Sequence, residues 1–229
     1  MGITGTEVSK EAADMVLSDD NFATIVSAVE EGRVIYDNIR KFIKYLLTSN
    51  TGELWVMLLA PLLGMPLPLL PLQILWINLV TDGLPALALS VEPAEPHTMH
   101  RAPVSPTENI LGRGLLWQIL WGGLVVGLPP LGMGYYFFTI GDAGWQTMVF
   151  TTLTLSQLAY VLAVRSNRDS FFRIGALTNT PLALTVVVTF LLQLMVAYVP
   201  FWQDLLKTRP LAATELGVMV THAPTESNW

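Results

Sequence analysis

Five stretches of the chain are long enough and apolar enough to cross a lipid bilayer as helices. The hydrocarbon core of a bilayer is about 30 Å thick, so a spanning helix needs roughly 20 mostly apolar residues. The stretches run from Phe42 to Leu63, Leu67 to Leu89, Leu115 to Phe138, Trp145 to Val164 and Pro181 to Val199. They predict an all-α membrane protein, a bundle of about five transmembrane helices, whose first expected partner is the lipid bilayer.

These stretches divide the chain into three parts. Residues 1–40 are polar, residues 41–220 contain the five predicted spans, and residues 221–229 form a polar tail that is too short to cross a bilayer. In the first part, residues 14–17 are predicted to form a strand, and residues 18–21 (Ser-Asp-Asp-Asn) are typical of a helix start. Apolar residues then recur close to helical spacing, which predicts one helix that continues into the first span.

Basic residues predict the orientation of the bundle. Ten of the twelve Lys and Arg residues precede the first span, lie in its first turn or lie in the links after the second and fourth spans. They are Lys10, Arg33, Arg40, Lys41, Lys44, Arg101, Arg113, Arg165, Arg168 and Arg173. Because Lys and Arg near spans are retained on the cytoplasmic side, we predict a multi-pass protein with a cytoplasmic N-terminus.

Composition argues against two other classes of function. The formal net charge is -6 and no cluster of Lys and Arg occurs, so nucleic acid is not an expected partner. The chain has no cysteine, which excludes disulfides, thiolate metal sites and thiol nucleophiles.

Two carboxylates inside the predicted spans point to ion chemistry. Glu53 lies in the first span and Asp82 in the second. A charged group near the centre of a bilayer costs several kcal/mol, so it is normally retained for an ion path or a polar partner. Asn50 shares a helix face with Glu53, and Asn78 and Thr81 share a face with Asp82. A short turn joins the two spans, so we expect an antiparallel hairpin that presents all five side chains to one place.

These side chains suit a hard cation. Calcium takes six to eight oxygen ligands from carboxylates, amides, hydroxyls and backbone carbonyls. Pro85 lies three residues after Asp82, removes a backbone donor and clashes with the carbonyl of Thr81. We therefore expect the second helix to loosen beside Asp82 and to free a carbonyl oxygen for ligation.

The same polar residues can also be explained by hydrogen bonding between helices, without a bound ion. Asn50, Asn78 and Thr81, each taken alone, are better explained as hydrogen-bonding residues between helices. The acid pair together with these neighbours is better explained as an ion site. Gln157, midway along the fourth span, fits a cation ligand and a helix contact equally well.

Several runs of residues resemble one family, the P-type cation-transporting ATPases. Residues 5–17 (Gly-Thr-Glu-Val-Ser-Lys-Glu-Ala-Ala-Asp-Met-Val-Leu) with 19–22 resemble the end of that family's phosphorylation domain. Residues 49–53 (Ser-Asn-Thr-Gly-Glu) resemble the motif of its fifth membrane helix, and residues 78–86 (Asn-Leu-Val-Thr-Asp-Gly-Leu-Pro-Ala) that of its sixth. The resemblance is greatest to the calcium-pump branch and covers residues 2 to about 90 closely.

The resemblance implies roles for particular residues. It places Asn50, Glu53, Asn78, Thr81 and Asp82 on the family's cation-coordinating positions. It also places Gln157 where the eighth helix of calcium pumps often carries an acid, which puts a second calcium site in doubt. The implied transported ion is Ca²⁺, with manganese as an alternative, and the implied location is the cell membrane. Residues 1–40 would then be a cytoplasmic remnant of the phosphorylation domain followed by a stalk helix.

Motifs absent from the sequence limit what this chain is expected to do alone. It contains no Asp-Lys-Thr-Gly-Thr phosphorylation motif, no Thr-Gly-Glu-Ser motif and no Gly-Asp-Gly-Val-Asn-Asp run. We expect no catalytic or cofactor-binding residue in it, and Mg²⁺ and ATP only in a complete pump. The expected partner is the front half of that pump, from the same gene or a separate chain in a split pump. The alternative is an inert or regulatory membrane fragment.

Overall fold

The residues that the structure describes are helical wherever they form regular elements. The computed structural model describes residues 2–95, 98–100, 102–105, 109–112, 114–165 and 178–211. Its elements are α1 (Glu7–Glu11), α2 (Ala23–Leu62), α3 (Pro71–Trp76), a π-helical segment (Ile77–Asp82), α4 (Gly83–Leu89), a 3₁₀ turn (Thr98–His100), α5 (Leu115–Thr139), α6 (Trp145–Ala163), α7 (Thr180–Tyr198) and α8 (Pro200–Leu206). The predicted tail of residues 221–229 lies outside the described residues.

Helix α2 is a single rod that joins the stalk to the bundle. Its 40 residues span about 60 Å at about 1.5 Å per residue. It begins directly after the predicted start signal, where the Asn21 side chain accepts from the Ala23 N–H at 3.0 Å and Asp19 accepts from the Thr24 hydroxyl at 2.6 Å. The prediction of one helix that runs unbroken into the first predicted span is confirmed.

The predicted strand at residues 14–17 is wrong. The structure gives these residues no strand partner, and the Gly2 N–H donates to the Leu17 carbonyl in a single contact at 2.6 Å. Asp20 holds the same loop by accepting from the Thr4 hydroxyl at 2.7 Å and from the Thr4 N–H at 2.8 Å. The bond from the Thr4 hydroxyl is the largest cause that lowers the pKa of Asp20 to about 2. A short alternating run needs a neighbouring strand to form a ladder, and here side-chain bonds organise the backbone instead.

Within the part of the chain that the structure describes, three helical stretches are long and apolar enough to cross a membrane. They are Pro71–Leu89, which combines α3, the π segment and α4, together with Leu115–Thr139 and Thr180–Tyr198. The two other predicted spans are also helical, as the second half of α2 and as α6, but they carry more polar residues. In α6, 13 of 19 residues are buried, so neighbouring helices cover most of its circumference.

Glycines bring α5 against α2. A Cβ on Gly123 would lie 2.6 Å from the Cβ of Thr51, and one on Gly127 would lie 2.8 Å from the Gly52 carbonyl oxygen. Gly122 meets Thr48 one turn earlier, so the two helices run in the same direction. Small residues at such contacts let helix backbones approach closely. This contact fixes the part of α2 that carries Glu53.

Apolar clusters fill the two ends of the bundle. One contains Val56, Leu69, Ile77, Val149 and Phe150 with their neighbours. The other contains Tyr45, Ala86, Leu89, Val161 and Leu182 at the opposite end. The polar residues of the candidate site lie between these two clusters along α2, the π segment and α6.

The close contact between α2 and α5 predicts a position-specific effect of adding one methyl group. We expect Gly127→Ala to lower the free energy of unfolding by about 1–3 kcal/mol, because its Cβ would press on the Gly52 backbone. Gly132→Ala in the same helix is the matched control, since no atom lies within 4 Å of its added Cβ. Thermal unfolding of the purified chain in detergent measures both. Equal unfolding temperatures for the two variants would contradict the packing described.

Candidate cation site

The second span changes its winding where it carries the site. Residues Ile77–Asp82 form a π-helical segment between α3 and α4, and Pro85 follows within the first turn of α4. A π turn is wider than an α turn and often occurs at functional sites. The predicted loosening beside Asp82 is therefore present, as a wide helical turn. The Thr81 carbonyl, which cannot receive a hydrogen bond from Pro85, accepts one from the Tyr45 hydroxyl at 3.2 Å.

Glu53 is held by amides from two different helices. Its Oε1 accepts from Gln157 Nε2 of α6 at 3.0 Å, and its Oε2 accepts from Asn78 Nδ2 of the π segment at 3.3 Å. Glu53 is buried and Gln157 is fully buried, whereas Asn78 is exposed. Gln157 thus contacts one of the two predicted acids directly. This contact is compatible with both roles that the sequence left open.

Asp82 is held by a residue that the sequence argument did not select. Its Oδ1 accepts from the Tyr45 hydroxyl at 3.2 Å, and Asp82 and Tyr45 are both buried. Tyr45 precedes Glu53 by eight residues, two helical turns on the same face, and this spacing is the signal that could have identified it.

Asn50 is less closely tied to the other site residues. Its Nδ2 donates to the Leu46 carbonyl of its own helix at 2.8 Å, and the side chain is half-buried. Among the residues that the structure describes, no group of three or more His, Cys, Asp or Glu could hold a metal ion. The site is therefore built from two acids with amides, hydroxyls and a carbonyl. Of the predicted residues, Glu53, Asn78 and Gln157 share direct hydrogen bonds, whereas Asn50 bonds locally.

Three buried oxygens of the site have no hydrogen-bond partner. They are Thr81 Oγ1, Asp82 Oδ2 and Gln157 Oε1. A buried polar atom without a partner costs about 1–3 kcal/mol, so such atoms in a native protein need an explanation, of which a bound water or ion is one. The three oxygens belong to residues on two helices that flank Glu53. Their chemistry, a carboxylate, an amide and a hydroxyl, is that of ligands for a hard cation.

Comparisons with known proteins give one consistent result. Residues 66–224 match the family model described as "Cation transporting ATPase, C-terminus". The chain is 48% identical over 211 residues to the calcium-transporting ATPase of Bacillus subtilis, covering 91% of this chain and 24% of the relative. It is 40% identical to calcium-transporting ATPase 1 of Bacillus cereus, covering 100% of the chain and 26% of the relative. The endoplasmic reticulum calcium ATPase srcA of Aspergillus fumigatus is 38% identical, with 96% of the chain and 26% of the relative covered. The chain spans about a quarter of the length of these curated relatives.

The bonds of Tyr45 predict that its hydroxyl stabilises the hairpin. We expect Tyr45→Phe to lower the free energy of unfolding by about 1–3 kcal/mol, because Asp82 and the Thr81 carbonyl lose a buried donor. Tyr36→Phe is the matched control in the same helix, since the Tyr36 hydroxyl has no hydrogen-bond partner. Thermal unfolding of both variants tests this. A loss of stability in Tyr36→Phe as large as that in Tyr45→Phe would contradict the assignment.

Proposed function

The chain belongs to the cation-transporting ATPase C-terminal family, and we propose that it forms the cation-binding membrane part of a calcium-transporting pump. In this proposal Asn50, Glu53, Asn78, Thr81 and Asp82 coordinate the ion, with Gln157 as a sixth contributor. Calcium is the transported substrate of the pump. The names of the relatives support calcium, and a donor set that consists of oxygen atoms suits calcium and manganese alike.

One observation supports the proposal most directly. The buried oxygens of Thr81, Asp82 and Gln157 that have no partner lie beside a second carboxylate, Glu53. A bound cation would satisfy these oxygens at once and neutralise two charges in a medium of low dielectric constant. The hydrogen bonds between helices in the described residues leave these three oxygens without a partner.

Transport by the whole pump requires parts that supply ATP chemistry. Phosphoryl transfer needs an acceptor, a bound Mg²⁺ and groups that position the nucleotide. The family's motifs for these roles do not occur in this sequence. We therefore propose that Mg²⁺ and ATP bind to the remaining part of the pump. This chain would contribute ion ligands and a stalk rather than hydrolysis.

Exposed surfaces support a front half as the partner. On the stalk part of α2, Val26, Ile35 and Ile39 are between 43% and 51% exposed. Asn78 is exposed although it contacts the buried Glu53, so one side of the site is open to another element. In the proposed pump, helices of the front half cover the stalk and add ligands at Asn78. The same surfaces are compatible with a split pump, and an inert or regulatory fragment would leave them without a required role.

We also propose that all five helical stretches span the membrane, with the N-terminus in the cytoplasm and the cell membrane as the location. Contacts of the stalk support a common side for the N-terminus and the link after α4. Arg33 donates to the Thr98 carbonyl at 3.1 Å, and Lys41 pairs with Glu95 at 2.8 Å. These basic residues and this link therefore lie at one end of the bundle, as cytoplasmic retention of Lys and Arg requires.

The absence of cysteine makes this topology directly testable. We expect a cysteine introduced at Asp142, in the turn between α5 and α6, to react with a membrane-impermeant maleimide on intact cells. A cysteine at Glu31, in the exposed stalk, should react only after permeabilisation, because an odd number of spans separates the two positions. Labelling of both positions on intact cells would contradict the orientation.

Cation binding is tested by removing one charge from each acid. We expect Asp82→Asn and Glu53→Gln each to weaken equilibrium binding of ⁴⁵Ca²⁺ to the chain in lipid nanodiscs at least about 10-fold, since each removes a charged ligand. Competition by Mn²⁺ in the same assay measures the preference between the two ions.

Matched controls separate ligation from a general loss of charge. Asp142→Asn and Glu31→Gln make the same chemical changes outside the site, and we expect unchanged binding. Calcium binding that is the same in Asp82→Asn and in the parent chain would overturn the proposed function. It would favour the alternative of an inert or regulatory fragment.

A further inference from the structure

We propose that Glu92, Arg165 and Asn179 form a clamp that fixes the end of α4 and thereby positions Thr81 and Asp82 for cation binding. The inference rests on the proposed function but uses residues outside the site described above. All three residues lie in links between helices or directly beside a helix end. They act as positioning residues through α4 and have no contact with the cation.

The centre of the clamp is a buried ion pair. Arg165 is 1% exposed and Glu92 is 6% exposed. Glu92 Oε1 accepts from Arg165 Nε at 3.0 Å and from Arg165 Nη2 at 2.8 Å. The same Nη2 also donates to the Thr178 hydroxyl at 2.6 Å. Arg165 lies two residues after the end of α6, so the pair joins the end of α6 to the link after α4.

Asn179 extends the clamp to α7 and to α4 itself. Its Nδ2 donates to Glu92 Oε2 at 2.6 Å and to the Ala88 carbonyl in the last turn of α4 at 3.2 Å. Its Oδ1 accepts from the Leu182 N–H at 2.9 Å and so caps α7. One amide side chain therefore binds the end of α4, the ion pair and the first turn of α7.

A contact from α2 completes the attachment of this link. Asn38 is buried and donates from Nδ2 to the Glu92 carbonyl at 2.8 Å and to the Ser90 carbonyl at 3.2 Å. The end of α4 is thus bound to α2, α6 and α7 within residues 88–92. Both oxygens of the Glu92 carboxylate accept hydrogen bonds. In the Asp82 carboxylate, Oδ1 accepts a hydrogen bond and Oδ2 does not.

The clamp lies one short helix away from the site. Helix α4 has seven residues, about 10 Å at about 1.5 Å per residue, and it begins directly after Asp82. At its other end is the π segment, whose winding departs from the regular α-helix of the rest of the span. A rewinding of that segment would rotate Thr81 and Asp82 relative to Glu53 on α2. Holding the far end of a short rigid helix opposes this rotation.

Energetics favour a positioning role over a purely stabilising one. The free energy lost when two charges are removed from water is about as large as the free energy gained from their attraction. Replacing a buried ion pair by apolar residues is therefore often neutral or stabilising. Loss of one partner alone leaves an uncompensated buried charge and destabilises strongly. A double replacement can therefore preserve the fold while it removes the directional contacts, which separates position from stability.

The test compares variants that keep or remove the clamp. Glu92→Met combined with Arg165→Met removes both charges, and Arg165→Lys keeps the charge but loses the planar fork of donors. Lys41→Met combined with Glu95→Met is the matched control, since that pair at 2.8 Å lies at the same end of the bundle and neither side chain forms a hydrogen bond to α4. The chain is purified in lipid nanodiscs, and its unfolding temperature and ⁴⁵Ca²⁺ dissociation constant are measured.

We expect the clamp double variant and Arg165→Lys to unfold near the parent temperature but to bind calcium about 10-fold more weakly, as loss of contacts behind metal ligands typically does. The control pair should bind calcium like the parent. Parent-like calcium affinity in both clamp variants would overturn the proposal. If the double variant does not fold, Arg165→Lys decides the question alone.

A measurement without calcium separates this inference from the proposed function. Spin labels on Leu87→Cys in α4 and Leu184→Cys in α7 report the distance between these helices, and both positions are exposed, at 68% and 62%. We expect one narrow distance distribution in the parent and in the control pair, and a broad or shifted one in the clamp variants. Unchanged distances would overturn the clamp. A parent that binds no calcium would overturn the proposed function, and the distances would then still decide whether the clamp holds α4.

Discussion

The burial of Glu53 and Asp82 places the strongest constraint on this bundle. A carboxylate away from water needs partners, and no single helix supplies enough of them. Glu53 takes one amide from α6 and one from the π segment, while Asp82 takes a hydroxyl from α2. Three separate parts of the chain must therefore meet at one depth. The buried position of α6 meets that requirement, and the glycine contact with α5 fixes the part of α2 that carries Glu53.

The second span has to combine two opposing properties. Around Asp82 it must expose backbone and side-chain oxygens, and the π segment with Pro85 does so by giving up regular α-helical bonding. A segment that is loosened in this way does not fix its own orientation. The contacts at the ends of α3 and α4 supply that orientation, since Gln73 donates to the Leu206 carbonyl at 2.9 Å at one end and Asn179 binds Ala88 at the other.

Local spacing predicted much of the fold and part of the site. The lengths of the apolar stretches, the start of α2 and the loosening near Pro85 are all properties of a few neighbouring residues, and the structure has them. The strand at residues 14–17 was wrong because a strand depends on a partner that the pattern does not contain. Tyr45 and Arg165 were missed for a related reason. Arg165 reads as a loop cation, and only the packing of three distant segments makes it a buried partner of Glu92.

Hydropathy identifies one of the three helical stretches that carry the predicted site residues. Of the described stretches that are apolar enough to span a membrane, Pro71–Leu89 carries Asp82, whereas Leu115–Thr139 and Thr180–Tyr198 contribute no predicted ligand. The second half of α2 and α6 carry Glu53 and Gln157 and do not reach the same apolarity. Lipid selects only the outward face of a helix, and α6 is covered by protein over most of its circumference. A helix that is covered by protein can therefore carry polar site residues and be less apolar than a lipid-facing helix, and such a helix is recognised by its burial rather than by its hydropathy.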